Sequence, residues 1–183
     1  MWELKDPSPV KLIVGILASD EMCLDTARQM LAAGLGAIDL VSDTGPFDQT
    51  TYYKDQTGPA ILRQFVSFEQ LIDPGELAEL KHRTNQLERD LAEIHRVPFR
   101  RPVNLDPGLI EPSKLVLATT KNYAHRIYIG KKMYAEVTLV FDRGTWRPLP
   151  YTYPDYCQPW YFDFFDEVRD KLLRQLRSTA TGR

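Results

Sequence analysis

The chain reads as an α+β protein: a ferredoxin-like split βαβ sheet extended by an extra β-hairpin and a C-terminal helix. Three observations predict this. A β-branched apolar run at Lys11–Leu17 passes directly into helix signals. The order strand, helix, strand, strand, helix, strand then fills residues 11–106. Finally, a hairpin whose second strand, Met133–Phe141, has a period-two pattern precedes a last amphipathic stretch. At 183 residues the chain suits one domain, 1–183, with an irregular lead-in at 1–10 and a frayed tail at 178–183.

The first helix is expected from Asp20 to Ala33, with Ser19 as cap, Asp20 and Glu21 at its positive end, Cys23, Ala27, Met30 and Leu31 on one face, and Gly34 as stop. Ala37–Val41 reads as a second strand. The stretch SDTGPFDQTTYYKDQTGP, Ser42–Pro59, breaks every periodicity. Asp48, Thr50, Tyr52 and Tyr53 there belong either to a lid or to a hairpin connection packed by its own tyrosines. Ile61–Phe68 is a third strand. Asp73-Pro74-Gly75-Glu76 has the chemistry of a capping box, opening a helix over Pro74–His95 whose seam is Leu77, Leu80, Thr84, Leu87, Leu91 and Ile94.

Val103–Asp106 supplies the fourth strand of the split βαβ unit. PSKLVLATTK fits either a short helix from Pro112 or a strand through Val116, Thr119 and Thr120. A hairpin follows, His125–Ile129 against Met133–Phe141 across Gly130-Lys131-Lys132, with Ala135, Val137, Leu139 and Phe141 on the buried face and Glu136 on the other. RPLPYTYPDYCQPW is a Pro- and Tyr-dense loop, and Tyr161, Phe164, Phe165, Val168, Leu172 and Leu176 stripe a terminal helix.

A net charge of −2 argues against a surface built wholly to bind nucleic acid, although a local basic groove stays open. The apolar run Leu12–Ala18 is too short for a signal peptide or membrane span, so a cytoplasmic protein is expected. Cys23 and Cys157 lie far apart with no CxxC pair, which predicts two free thiols: Cys23 as core, Cys157 in the aromatic loop. His82 and His95 read as structural. Arg96, Arg100 and Arg101 in HRVPFRRP are either a solvated linker or an anion-binding cluster.

Residues 102–142 hold most of the side chains suited to chemistry. His125 and Asp106 are the candidates for proton work: an imidazole titrates near neutrality, and a turn presents its carboxylate to a ligand. Asn104, Lys121, Arg126, Glu136 and Tyr128 are the candidate ligand contacts. The readings weighed are an enzyme or sensor for a phosphate-bearing small molecule or nucleotide, a noncatalytic RNA-binding module stacking bases on Tyr123, Tyr128 and Tyr134, and a protein-interaction domain working through Tyr151–Tyr161. Whether the protein is an enzyme, and which cofactor if any it uses, stay open. Asp106, His125, Glu136 and Asp155 have the ligand types of an oxygen-rich metal site, but no ligand spacing demands one, so no metal is assigned.

NLDPGLIEPSKLVLATTKNYAHRIYIGKKMYAEVTL, together with PVKLIVGILASDE, FVSFEQLIDPGELAELK and PLPYTYPDY, resembles the prokaryotic family known as domain of unknown function 4416 over almost the whole chain. That resemblance implies no established activity, and the family's occasional GTP-binding label finds no phosphate loop here. No glycine is followed at GxxxxGK[ST] spacing by the required residues, and Thr119-Thr120-Lys121-Asn122 lacks the downstream acid of a guanine-reading motif.

Overall fold

The computed structural model describes residues 2–48, 54–95 and 97–181. In chain order the elements are β1 (Val10–Ala18), α1 (Glu21–Leu35), β2 (Ile38–Val41), β3 (Gly45–Pro46), α2 (Lys54–Thr57), β4 (Leu62–Ile72), α3 (Leu77–Ile94), β5 (Val103–Glu111), β6 (Lys114–Thr119), β7 (Ile127–Tyr128), β8 (Tyr134–Asp142), β9 (Thr145–Pro148) and α4 (Pro159–Thr181). The strands form one antiparallel sheet in the order β2-β4-β1-β5-β6-β8-β7, with β3 beside β4 and β9 beside β8. The fold is α+β.

β1 lies between β4 and β5, and every one of its residues is buried. Its unbroken apolar run follows from being covered on both faces. Val10, Leu12, Val14, Ile16 and Ala18 pack under α1 and α3, while Ile13 packs with Phe65, Leu115 and Leu139 under Phe164, Phe165 and Val168 of α4. On that second face Lys11 is sealed and donates to Asp39 at 2.7 Å and to the Phe68 carbonyl at 2.7 Å. Lys171 reaches Asp39 at 2.9 Å, tying β1, β2 and α4 together.

Local signals govern the helix starts. Asp20, rather than Ser19, caps α1 by accepting from the Cys23 N–H at 2.8 Å, and the helix runs past Gly34 to Gly36, whose φ of 111° suits glycine. The Asp73 capping box forms as expected, over a 3₁₀ turn at Pro74–Glu76 that leads into α3. The helical seam differs from expectation. Ile94 is exposed, whereas Lys81 and Glu88 occupy buried positions seven residues apart. α4 continues to Thr181, through most of the expected frayed tail.

The largest departure is at Asp106-Pro107-Gly108. Read as a turn, it instead continues β5 to Glu111, and PSKLVLATTK resolves as β6. β6 pairs with β5 only over Gly108–Glu111; below Gly108 the two strands part. The exposed edge of β5 is then satisfied by α3: the Leu105 N–H donates to Glu88 Oε1 at 2.8 Å, and the Leu105 carbonyl accepts from Lys81 Nζ at 2.8 Å. Pro107, two residues on, has its nitrogen on the same edge but carries no N–H to orphan there. Gly108 permits the close approach above the split, since a Cβ there would lie 2.6 Å from Leu117 Cδ2 and 3.0 Å from the Val116 carbonyl.

The strict alternation expected in β8 is also broken. Its register against β6 shifts between Leu115 and Val116, so Ala135 packs in the α1 and α3 core while Leu139 and Phe141 pack on the α4 side. A bulge moves the side-chain set from one face to the other. β8 also turns back into β9 through Arg143 (φ 50°) and Gly144 (φ 83°), a left-handed pair that suits a tight hairpin and lay unread in the sequence. Within Ser42–Pro59 the described residues hold β3 and α2, while Thr50, Tyr52 and Tyr53 lie outside them.

Replacing Gly108 by Ala should lower unfolding stability by about 1–3 kcal/mol, because the new methyl meets backbone on one side and Leu117 on the other. Urea denaturation measures this, and an unchanged midpoint would mean that β6 does not approach β5 so closely.

Candidate functional site

The parting of β5 from β6 opens a cavity of about 510 Å³. β5 contributes Asn104 and Asp106, α3 contributes Lys81 and Asn85, and β4 contributes Arg63. The end of β6 and the loop after it supply Leu117 to Lys121, and Arg126 and Glu136 form the opposite wall. Tyr153, Pro154, Asp155 and Tyr156 close one side, with Arg101 and Phe47 at the rim. The sheet fixes Arg63, Asn104, Asp106, Leu117, Ala118, Thr119 and Glu136, α3 fixes Lys81 and Asn85, and loops or a short 3₁₀ turn carry the rest.

Two charged clusters face each other. In the first, Asp106 accepts from Lys81 Nζ at 3.1 Å and from Asn104 Nδ2 at 2.5 Å. Burial alone would push its carboxyl up, but the nearby Lys81 and Arg63 outweigh that and hold it below the usual carboxylate range. Asp106 is therefore an ionised acceptor at neutral pH. Beside it Arg63, 2% exposed, is ion-paired with Asp155, and its Nε reaches the Tyr161 hydroxyl at 3.3 Å. Its guanidinium carbon lies 5.0 Å from the Phe65 ring centre and 5.4 Å from that of Tyr156, a cation–π setting. Burial disfavours the Arg63 charge, yet Asp155 more than restores it and the group stays cationic.

In the second cluster Arg126 donates Nε to Glu136 at 2.6 Å, Nη1 to the Lys121 carbonyl at 3.1 Å and Nη2 to the Tyr153 hydroxyl at 3.5 Å. Glu136 is 4% exposed, so Arg126 offsets a desolvated carboxylate. His125 Nε2 lies 3.1 Å from the same Glu136 oxygen, and its ring stacks on Tyr151 at 4.1 Å and 7°.

Of the residues singled out in the sequence, Asn104, Asp106, Lys121, Arg126 and Glu136 thus line one cavity. Two do not. His125 touches the site only through Glu136, because Tyr151 holds its ring outside the wall. Tyr128 lies on edge strand β7, 58% exposed and packed against Tyr134 at 5.5 Å, so it points away from the ligand space. Arg101 lines the cavity and bonds Glu88 at 2.5 Å; Arg100 is exposed, and Arg96 lies outside the described residues. His82 Nε2 donates to the Lys131 carbonyl at 2.7 Å and His95 is buried, both away from the cavity wall. Both cysteines are free, and burial pushes each thiol above its usual range. Among the described residues no three His, Cys, Asp or Glu side chains group as a metal site, and no helix is long and apolar enough to cross a membrane.

Sequence reasoning missed Arg63, Lys81 and Tyr156. Lys81 had a visible signal, a charge in the buried seam of α3 repeated seven residues later by Glu88. Arg63 had a weaker one, period-two spacing with Phe65 in a buried strand.

The family model described as "Domain of unknown function (DUF4416)" matches residues 8–172. The chain belongs to this family. No curated protein and no solved structure matches it. Every cavity-lining residue of this DUF4416 chain falls within the matched span.

The Asp106 carboxyl has a folded pKa below its unfolded value of about 3.9, so it adds stability that is present above that pH and lost as pH falls through the folded pKa. Asp106→Asn should therefore flatten the fall in melting temperature below about pH 4. It should not abolish that fall, since Asp20 and Asp39 are also held low. An acid limb identical to wild type would show that Asp106 carries no such linkage.

Proposed function

We propose that the cleft binds a phosphate-bearing small molecule, with nucleotides among the candidates. The observation that carries this reading is the charge of the lining. Among the described residues, Arg63, Lys81, Arg101, Lys121 and Arg126 face only three carboxylates, Asp106, Glu136 and Asp155. Arg101 is matched by Glu88 just outside the lining, so one positive charge remains in excess, of the sign that the charge of about −1.5 to −2 on a phosphate monoester requires. The size of about 510 Å³ falls within the range of small-molecule pockets.

The carboxylates add selectivity. Ionised Asp106, 27% accessible in its side chain, suits acceptance of a hydroxyl or amide proton from the ligand, while Lys121 and Arg126 attract its phosphate. His125 is better suited to positioning Glu136 than to direct proton transfer. Proton work at Asp106 and His125 is the catalytic form of this proposal.

Two finer readings accompany it. The order β2-β4-β1-β5, with α1 and α3 packed on one face, supports a ferredoxin-like split βαβ core, and the two free thiols suit the cytoplasm. A second functional reading, a noncatalytic RNA-binding module, draws support from Tyr123 and Tyr128, 68% and 58% exposed beside the cavity loops.

Thermal-shift titrations with phosphate, sugar phosphates and nucleotides test the proposal. At a hundredfold excess over the dissociation constant, the cognate class should add about 2.7 kcal/mol, raising the melting temperature by roughly 5–10 °C. Lys121→Gln should weaken that response. If no phosphate-bearing compound shifts the transition while single-stranded RNA binds with strong salt dependence, the RNA reading replaces it.

A further inference from the structure

Two polar groups on the cavity wall have no hydrogen-bond partner among the described residues. Arg63 gives Nη2 to Asp155 and Nε to Tyr161, yet its Nη1 is buried and unpaired; the buried Tyr156 hydroxyl is unpaired as well. Proteins rarely leave such donors orphaned, because the desolvation they suffered goes unrepaid. The two converge. A Cβ built on Gly15 would lie 2.9 Å from Arg63 Nη1 and 3.1 Å from Tyr156 Oη, so both crowd over the same glycine of β1. Gly15 stands opposite Asp106 in the sheet, at the level where β5 has left β6.

We propose that Arg63 Nη1 and the Tyr156 hydroxyl form an oxyanion subsite on the floor of the cleft, receiving one terminal oxygen of a phosphate or carboxylate. This rests on the anion-binding reading above and names the residues that grip the anion. Both groups are donors there: a guanidinium has only N–H to offer, and burial pushes the Tyr156 hydroxyl well above its ordinary range, keeping its proton on. Donors shielded from solvent make the strongest bonds to a charged acceptor. Asp155 and the surrounding rings hold the Arg63 guanidinium in place before any ligand arrives, which lowers the ordering cost of binding. Tyr156 is carried by the short 3₁₀ turn Pro154–Cys157 in the aromatic loop, and that turn is the element that yields to admit the oxygen. Glycine at position 15 keeps the floor clear, since any side chain there would press on both donors and on Phe65 Cε1 at 3.1 Å.

Tyr156→Phe removes the hydroxyl and keeps the ring. Without ligand it should melt no lower than wild type, because the lost group has no hydrogen-bond partner among the described residues. Titrated with inorganic phosphate, and separately with acetate, its apparent dissociation constant should rise about tenfold for whichever anion the wild type binds. Gly15→Ala should lose the response altogether; if that variant does not fold, Tyr156→Phe decides alone. Anion affinity equal to wild type in Tyr156→Phe overturns the subsite and leaves the cleft's anion binding standing. A lower unliganded melting temperature for Tyr156→Phe also overturns it, by showing that the hydroxyl has a partner within the protein. No response from the wild type to either anion overturns the subsite and the anion-binding reading beneath it.

Discussion

Leu105 has a strand partner on one side only, and two side chains of α3 take the place of the other. Its carbonyl accepts from Lys81 and its N–H donates to Glu88, each at 2.8 Å. A buried backbone pair left bare would cost about 1–3 kcal/mol per group, so without these two residues β5 would be driven to zip against β6 along its whole length. Instead the strands separate below Gly108. The cavity exists because a helix completes hydrogen bonds that a strand would otherwise make.

That substitution has an electrostatic consequence. Lys81 and Glu88 arrive as charges, and buried charges must be matched. Lys81 finds Asp106 at 3.1 Å, and Glu88 finds Arg101 at 2.5 Å. Burial still raises the Glu88 carboxyl above its usual range despite Lys81 and Arg101. Such networks are weak evidence for stability, since apolar residues of like volume often serve as well. An apolar seam in α3 could not complete the Leu105 bonds, however. The charges follow from the opening in the sheet, not from a need for stability.

How far all this was legible depended on the range of the forces involved. The capping box at Asp73–Glu76 and the buried run of β1 are local effects, and the sequence carries them openly. Five of the seven candidate residues in 104–136 line one cavity because strand geometry gathers what lies within a hairpin's reach. Asp106-Pro107-Gly108 misled for the opposite reason: its turn chemistry is genuine, but tertiary contacts use the proline to end a ladder and the glycine to let β6 pass. The bulge in β8 is a register effect set by β6 and invisible in either strand alone. Arg63 lies 92 residues from Asp155 in the chain, and Tyr156 lies still farther from Gly15, so only the folded sheet brings them together.

Opening a sheet also joins two environments that a sheet normally separates. Lys81 comes from the helix layer that covers the even-numbered side of β1, whereas Arg63 packs among Phe65, Tyr156 and Tyr161 on the side of α4. In an intact sheet the backbone would lie between them. Here Asp106 is bonded to Lys81 and also feels the charge of Arg63, with both contributing to its low carboxyl pKa. A ligand in the cleft can therefore meet cations from both layers at once, with one carboxylate between them as a fixed reference. Neither face of a closed antiparallel sheet offers that arrangement, because its side chains point away from each other across the pleat.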